Sequence, residues 1–148
     1  MKRALIHHMA LAHHRLEDLH RCILIPWGQA RVAVCARCLV LYPSLFLVLG
    51  GQIALRAGSF GGWDRWLVLA GVVPMLVDWG VGRLGWARGS NVVRGTTGML
   101  GGAALGRGLY LYFRDTSSEA FWLAVVVVAL VVIAVEIVRA LGLKDMPG

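Results

Sequence analysis

Ala124-Val125-Val126-Val127-Val128-Ala129-Leu130-Val131-Val132-Ile133 decides the fold. In water, a run this rich in β-branched residues reads as a buried strand. Here it lies inside a longer apolar segment, Ala120 to Leu141, which is long enough to cross roughly 30 Å of hydrocarbon as a helix of about 20 residues. Hydrocarbon offers the backbone no partner, so the peptide groups must be satisfied within the segment and the run must be helical.

Working outward, three further segments approach that length: Leu39 to Leu55, Trp66 to Gly82, and Val92 to Phe113. The first two are short and contain Pro43 and Pro74. Composition agrees with a membrane protein, since 58% of the 148 residues are hydrophobic and only 16% are charged. The mean hydropathy is +0.69. The reading is an all-α, four-transmembrane-helix bundle forming a single membrane domain, with residues 1–38 as a cytoplasmic N-terminal arm and 39–141 as the bundle. The net charge of +7 does not indicate nucleic acid, because the arginines are scattered through short loops without the interleaved aromatics of a binding patch.

The N-terminal arm carries its own periodicity. Leu5, Met9, Ala12, Leu16, Leu19 and Ile23 follow a 4-3-4-3-4 spacing, one stripe along an amphipathic helix lying on the membrane or against the bundle. His7, His8, His13 and His14 interrupt any sustained apolar core after Lys2 and Arg3, so no cleavable signal is read. Four crossings would place Lys2, Arg3, Arg15, Arg21, Arg31, Arg37, Arg83, Arg88, Arg94, Arg139 and Lys144 on one side and Arg56, Arg65, Arg107 and Arg114 on the other. The richer side is cytoplasmic by the positive-inside rule, which puts both termini inside at the inner membrane.

At the mouth of the first span stands Cys35-Ala36-Arg37-Cys38, with Cys22 upstream. Two thiols at this spacing can grip one ion, and a third thiol with a histidine completes a Cys₃His tetrahedron suited to zinc. The fourth ligand is open among His13, His14 and His20, with His13 or His14 favoured because a chain reversal near Pro26-Trp27-Gly28 would fold the arm back onto the cysteines. Against this metal knuckle stands a plainer reading in which the cysteines are small packing groups and the histidines face solvent or the interface. A reducing cytoplasm disfavours a structural disulfide and leaves metal binding or thiol redox chemistry.

Asp78 is the second informative residue, roughly 18 Å along the second span. A carboxyl at that depth costs on the order of 2.5 to 3.5 kcal/mol unless it is paired. Arg94 is its expected partner, one turn after a helix start marked by Ser90 or Asn91. Ser90, Asn91, Arg94 and Asp78 together form a candidate site for an anionic ligand such as a lipid or isoprenoid head group. Gly98, Gly102 and Gly106 repeat at the spacing that lets helices approach closely, within one chain or in a homo-oligomer. Glu136 and Arg139 read as a local ion pair near the end of the last span.

Taken together, His13-His14, Arg21-Cys22, Cys35-Ala36-Arg37-Cys38 running into Tyr42-Pro43, Asp78, Ser90-Asn91 with Arg94, and Thr97-Gly98 resemble a family of small bacterial and archaeal integral membrane proteins known only as a domain of unknown function. The likeness spans roughly residues 13 to 108, and Val40 stands where that family often has glycine. It supports the choice of residues and supplies no reaction. Three function classes follow: a zinc-binding membrane protein with an inner-leaflet polar site, an intramembrane enzyme acting on an anionic head group, and a thiol redox carrier or metal transporter. No serine-histidine, His-Glu-x-x-His, P-loop or dinucleotide motif is present.

Overall fold

The computed structural model describes residues 22–27, 30–87 and 89–142. It contains a two-stranded antiparallel hairpin, β1 (Cys22–Trp27) and β2 (Ala30–Cys35), followed by four helices: α1 (Ala36–Ala54), α2 (Trp63–Leu84), α3 (Asn91–Arg114) and α4 (Glu119–Ala140). Each helix overlaps one expected span and begins one to three residues before it. The expected amphipathic helix lies outside the described residues except at its last stripe position, Ile23, which is in β1 and not helical. The chain reversal expected near Pro26 is this hairpin, with Trp27 opposite Ala30.

Contacts at the two ends fix the direction of every helix. Arg37 at the start of α1 meets Asp78 late in α2, and Thr97 early in α3 reaches the same carboxylate. Late α2 also meets late α4 through Arg83 and Glu136. At the opposite end Arg107, late in α3, joins Gln52 late in α1 to Asp64 at the start of α2, while Arg65 meets Glu119 at the start of α4. The helices therefore run alternately up and down, with α1 parallel to α3.

Helices α1, α2 and α4 are each long and apolar enough to cross a membrane. The 24-residue α3 is long enough but not among them. It carries Arg94, Arg107 and a glycine-rich middle, and it is the central helix, packed against the other three. Hydropathy and burial run opposite here: the least apolar helix is the one its neighbours shield. Val125, Val126, Leu130 and Ile133 of α4 are exposed, as a lipid-facing helix requires.

The glycine row packs against α1 of the same chain. A methyl group at Gly98 would stand 2.8 Å from the Arg37 carbonyl oxygen, and one at Gly106 would stand 2.7 Å from that of Leu45. At Gly102 it would collide with the Leu41 carbonyl oxygen and the Ser44 hydroxyl. Positions 98, 102 and 106 thus face 37, 41 and 45 one for one, in a parallel seam where backbone meets backbone. Ser44 sits in this seam with Leu41 O at 2.9 Å and Met99 O at 3.1 Å as alternative acceptors. The α2–α3 approach is similar: a methyl at Gly71 would lie 2.6 Å from Ala104 Cβ, and Gly101 lies under Met75. Val68, Val72, Leu76, Ala104 and Ala124 form the apolar core between α2, α3 and α4.

Candidate functional site

The hairpin end of the bundle gathers most of the chemistry the chain contains. Strand pairing sets Cys22 directly opposite Cys35. Cys35 is the residue immediately before α1, and Cys38 follows one turn into that helix. The Cys35 and Cys38 side chains are hydrogen-bonded to each other, and Cys22 is close enough to act on Cys38 electrostatically. All three are free thiols, with Cys22 and Cys35 buried and Cys38 half-buried. Among the described residues no group of three or more His, Cys, Asp or Glu side chains is arranged to hold a metal. Cys22, Cys35 and Cys38 are all described and do not form such a group, while His13, His14 and His20 lie outside the described residues.

Between Cys35 and Cys38, Arg37 turns into the bundle and forms an ion pair with Asp78. This is the partner that sequence reasoning missed. It assigned Asp78 to Arg94 because both looked intramembrane, and passed over Arg37 as a residue at the edge of a span. Nothing in the sequence marks this partner: glycine spacing tells that α3 packs closely but not against which helix or in what register, and it is the observed seam, with Gly98 against position 37, that brings Arg37 to the level of Thr97 and so to Asp78.

Thr97 has one hydroxyl proton and three acceptors in reach, Val93 O at 2.9 Å and Asp78 Oδ2 and Arg94 O each at 3.3 Å. The shortest contact favours the helix carbonyl one turn back. Ser90 caps α3 by accepting from the Val93 N–H at 3.2 Å, as its position before the span suggested. Arg94 is buried at 5% exposure and donates to Asn91 Oδ1 at 3.2 Å. Gly89 joins the two halves of this cluster: a methyl there would stand 3.2 Å from Asp78 Oδ1 and 3.7 Å from Arg94 Nη2. Asp78, Asn91, Arg94 and the Ser90 cap therefore share one end of the bundle with the cysteines, linked to them through Arg37. Nearby, the expected Glu136–Arg139 pair is present at 2.9 Å, and Arg83 of α2 joins it at 2.8 Å.

A fully buried ion pair occupies the opposite end. Asp64 and Arg107 are 3% and 7% exposed. Arg107 donates from Nε at 2.9 Å and from Nη2 at 2.7 Å to Asp64 Oδ1. The other carboxylate oxygen accepts from the Ser59 hydroxyl at 2.7 Å and the Phe60 N–H at 2.9 Å. The remaining guanidinium donors reach the Gln52 side chain and Gly58 O, and the Phe60 ring lies 4.5 Å from the guanidinium carbon. The carboxylate accepts four hydrogen bonds and the guanidinium uses four of its five N–H groups, and four of the pair's partners lie at or beyond the end of α1. Its chemistry is that of a clasp holding the α1–α2 loop.

Residues 17–107 match the family model described as "Predicted membrane protein (DUF2085)", a span that contains the hairpin, α1, α2 and the Arg37–Asp78 and Asp64–Arg107 ion pairs and stops at Arg107. No curated protein and no solved structure matches the chain.

Proposed function

This chain belongs to the DUF2085 family of membrane proteins, and on that premise we propose that it is a zinc-binding membrane protein whose Cys22, Cys35 and Cys38 thiolates hold the ion together with His13 or His14. The observation that supports this reading is the strand register, which sets Cys22 across from Cys35 with Cys38 one helical turn further on. Two residues of a Cys-x-x-Cys at a strand-to-helix junction, faced by a third thiol on the neighbouring strand, make a compact sulfur-rich corner, and three sulfurs with one imidazole suit tetrahedral zinc.

The same reading gives Arg37 a purpose. A metal held by the residues on either side of it would fix the helix start and with it the Arg37–Asp78 ion pair, so that Asp78, Ser90, Asn91 and Arg94 are set in place as a site for an anionic head group. In this proposal α3 crosses the bilayer as a fourth span, shielded by its neighbours, and the hairpin end faces the cytoplasm, where thiols stay reduced.

Metal analysis of the full-length protein purified in detergent tests the reading. Stoichiometric zinc is expected, with loss of metal and a lower melting temperature in Cys35→Ser and Cys38→Ser, because binding energy at a structural site is folding energy. Full metal content in both variants overturns the ligand assignment.

A further inference from the structure

The seam between α2 and α4 ends in a charge cluster that neither the zinc reading nor the head-group site around Arg94 uses. The two helices run parallel, starting at the Arg65–Glu119 end and finishing at the hairpin end. Arg83 and Arg139 are each the last residue but one of a 22-residue helix. Such a helix is about 33 Å long, close to the roughly 30 Å of a hydrocarbon layer, so a bilayer centred on it puts both guanidiniums at head-group level.

Both arginines converge on one carboxylate. Arg83 donates from Nε at 2.8 Å to Glu136 Oε1, and Arg139 donates from Nη1 at 2.9 Å to Glu136 Oε2. Glu136 precedes Arg139 by three residues, roughly 4.5 Å deeper along the helix, and so tethers the two cations from below. The helices come close enough for this because Gly80 faces α4: a methyl there would stand 3.3 Å from Val135 Cγ2.

The cluster is built differently from the clasp at the other end. Arg107 spends four of its five N–H groups on protein acceptors. Arg83 and Arg139 spend one each on Glu136, have no other partner among the described residues, and are 45% and 49% exposed. Two guanidiniums against one carboxylate leave an excess of one positive charge, and the planar fork of N–H donors that each presents matches a phosphate. Below Glu136 on the same stripe of α4 come Val132 and Ala129, an apolar track for an acyl chain.

We propose that Arg83 and Arg139, held at a fixed spacing by Glu136, bind the phosphate of an anionic phospholipid in the leaflet at the hairpin end. The site is separate from Arg94 and does not depend on a bound metal.

Native mass spectrometry of the full-length protein, released from detergent containing phosphatidylglycerol or phosphatidylcholine, counts the lipids it retains. Wild type should keep more phosphatidylglycerol than phosphatidylcholine. Arg83→Gln/Arg139→Gln should lose one phosphatidylglycerol while its phosphatidylcholine count stays the same. Arg56→Gln/Arg114→Gln, which removes the same charge at the opposite end, should lose none. The proposal fails if wild type shows no preference, if the Arg83/Arg139 variant keeps its full count, or if both double variants lose lipid alike. A second measurement needs no variant: phosphatidylglycerol should raise the melting temperature of the wild type in detergent several-fold more than phosphatidylcholine does, and equal rises are a contrary result. Displacement of the retained lipid by millimolar inorganic phosphate would assign the site to a free anion and overturn the lipid assignment.

Discussion

At the scale of single residues, Asp64 and Arg107 show how a charge is made tolerable inside a bundle. The carboxylate accepts four hydrogen bonds and the guanidinium donates to three different groups, so neither ion is left to solvent or lipid. Replacing Arg107 with leucine strands Asp64 at 3% exposure, and the expected loss is about 3 to 5 kcal/mol, as for other buried pairs deprived of one partner. Arg107→Lys should recover only part of it, because an ammonium cannot span Asp64, Gln52 and Gly58 at once. Thermal unfolding in detergent separates the three proteins, and an Arg107→Leu variant that melts with the wild type would disprove the clasp. Asp78 was legible as a residue needing a partner; Arg37 was not legible as that partner. The requirement follows from one residue's depth, whereas the answer depends on how two helices are rotated against each other.

At the scale of elements, the α1–α3 seam makes an equally sharp comparison. Gly102→Ala drives a methyl group into the Leu41 carbonyl and should destabilise by about 1 to 3 kcal/mol, the usual cost of overpacking. Gly95→Ala, on the same helix, meets only Val40 Cγ2 at 3.9 Å and should be neutral or slightly stabilising, since alanine is the better helix former. Equal melting temperatures for the two would refute the seam. Spacing alone announced that Gly98, Gly102 and Gly106 pack closely, and the structure adds only their partner. The hairpin was harder to read. Leu5 through Ile23 fit a helical stripe that ran on into β1, and segments as uniformly apolar in sequence as Cys22–Trp27 show little of the alternation by which strands are recognised.

Across the whole molecule, the four helices differ in how they could enter a bilayer. Segments α1, α2 and α4 are apolar enough to insert singly, whereas α3 carries Arg94 and Arg107 and is covered by its neighbours. Placed alone in an insertion reporter, α3 should integrate poorly, while in the intact chain a reporter fused after α4 should lie on the side of the N-terminus. A carboxyl-terminal reporter on the opposite side would mean that α3 does not cross. That the bundle has this sorted construction was visible in hydropathy; that the weakest segment is the central one was not, because a low score cannot distinguish a shielded helix from a peripheral one.

The two ion-paired aspartates of α2 also define a length. Fourteen residues of α2 separate Asp64 from Asp78, roughly 21 Å of helix. A typical hydrocarbon layer is about 30 Å thick. With one end of the ruler pinned by an ion pair to α3 and the other by an ion pair to α1, the bundle cannot stretch to close the gap. Either each charged cluster sits several ångströms below the head groups or the surrounding lipid compresses toward the protein. Lengthening the lipid tails should therefore act directly on the Asp64–Arg107 and Arg37–Asp78 pairs.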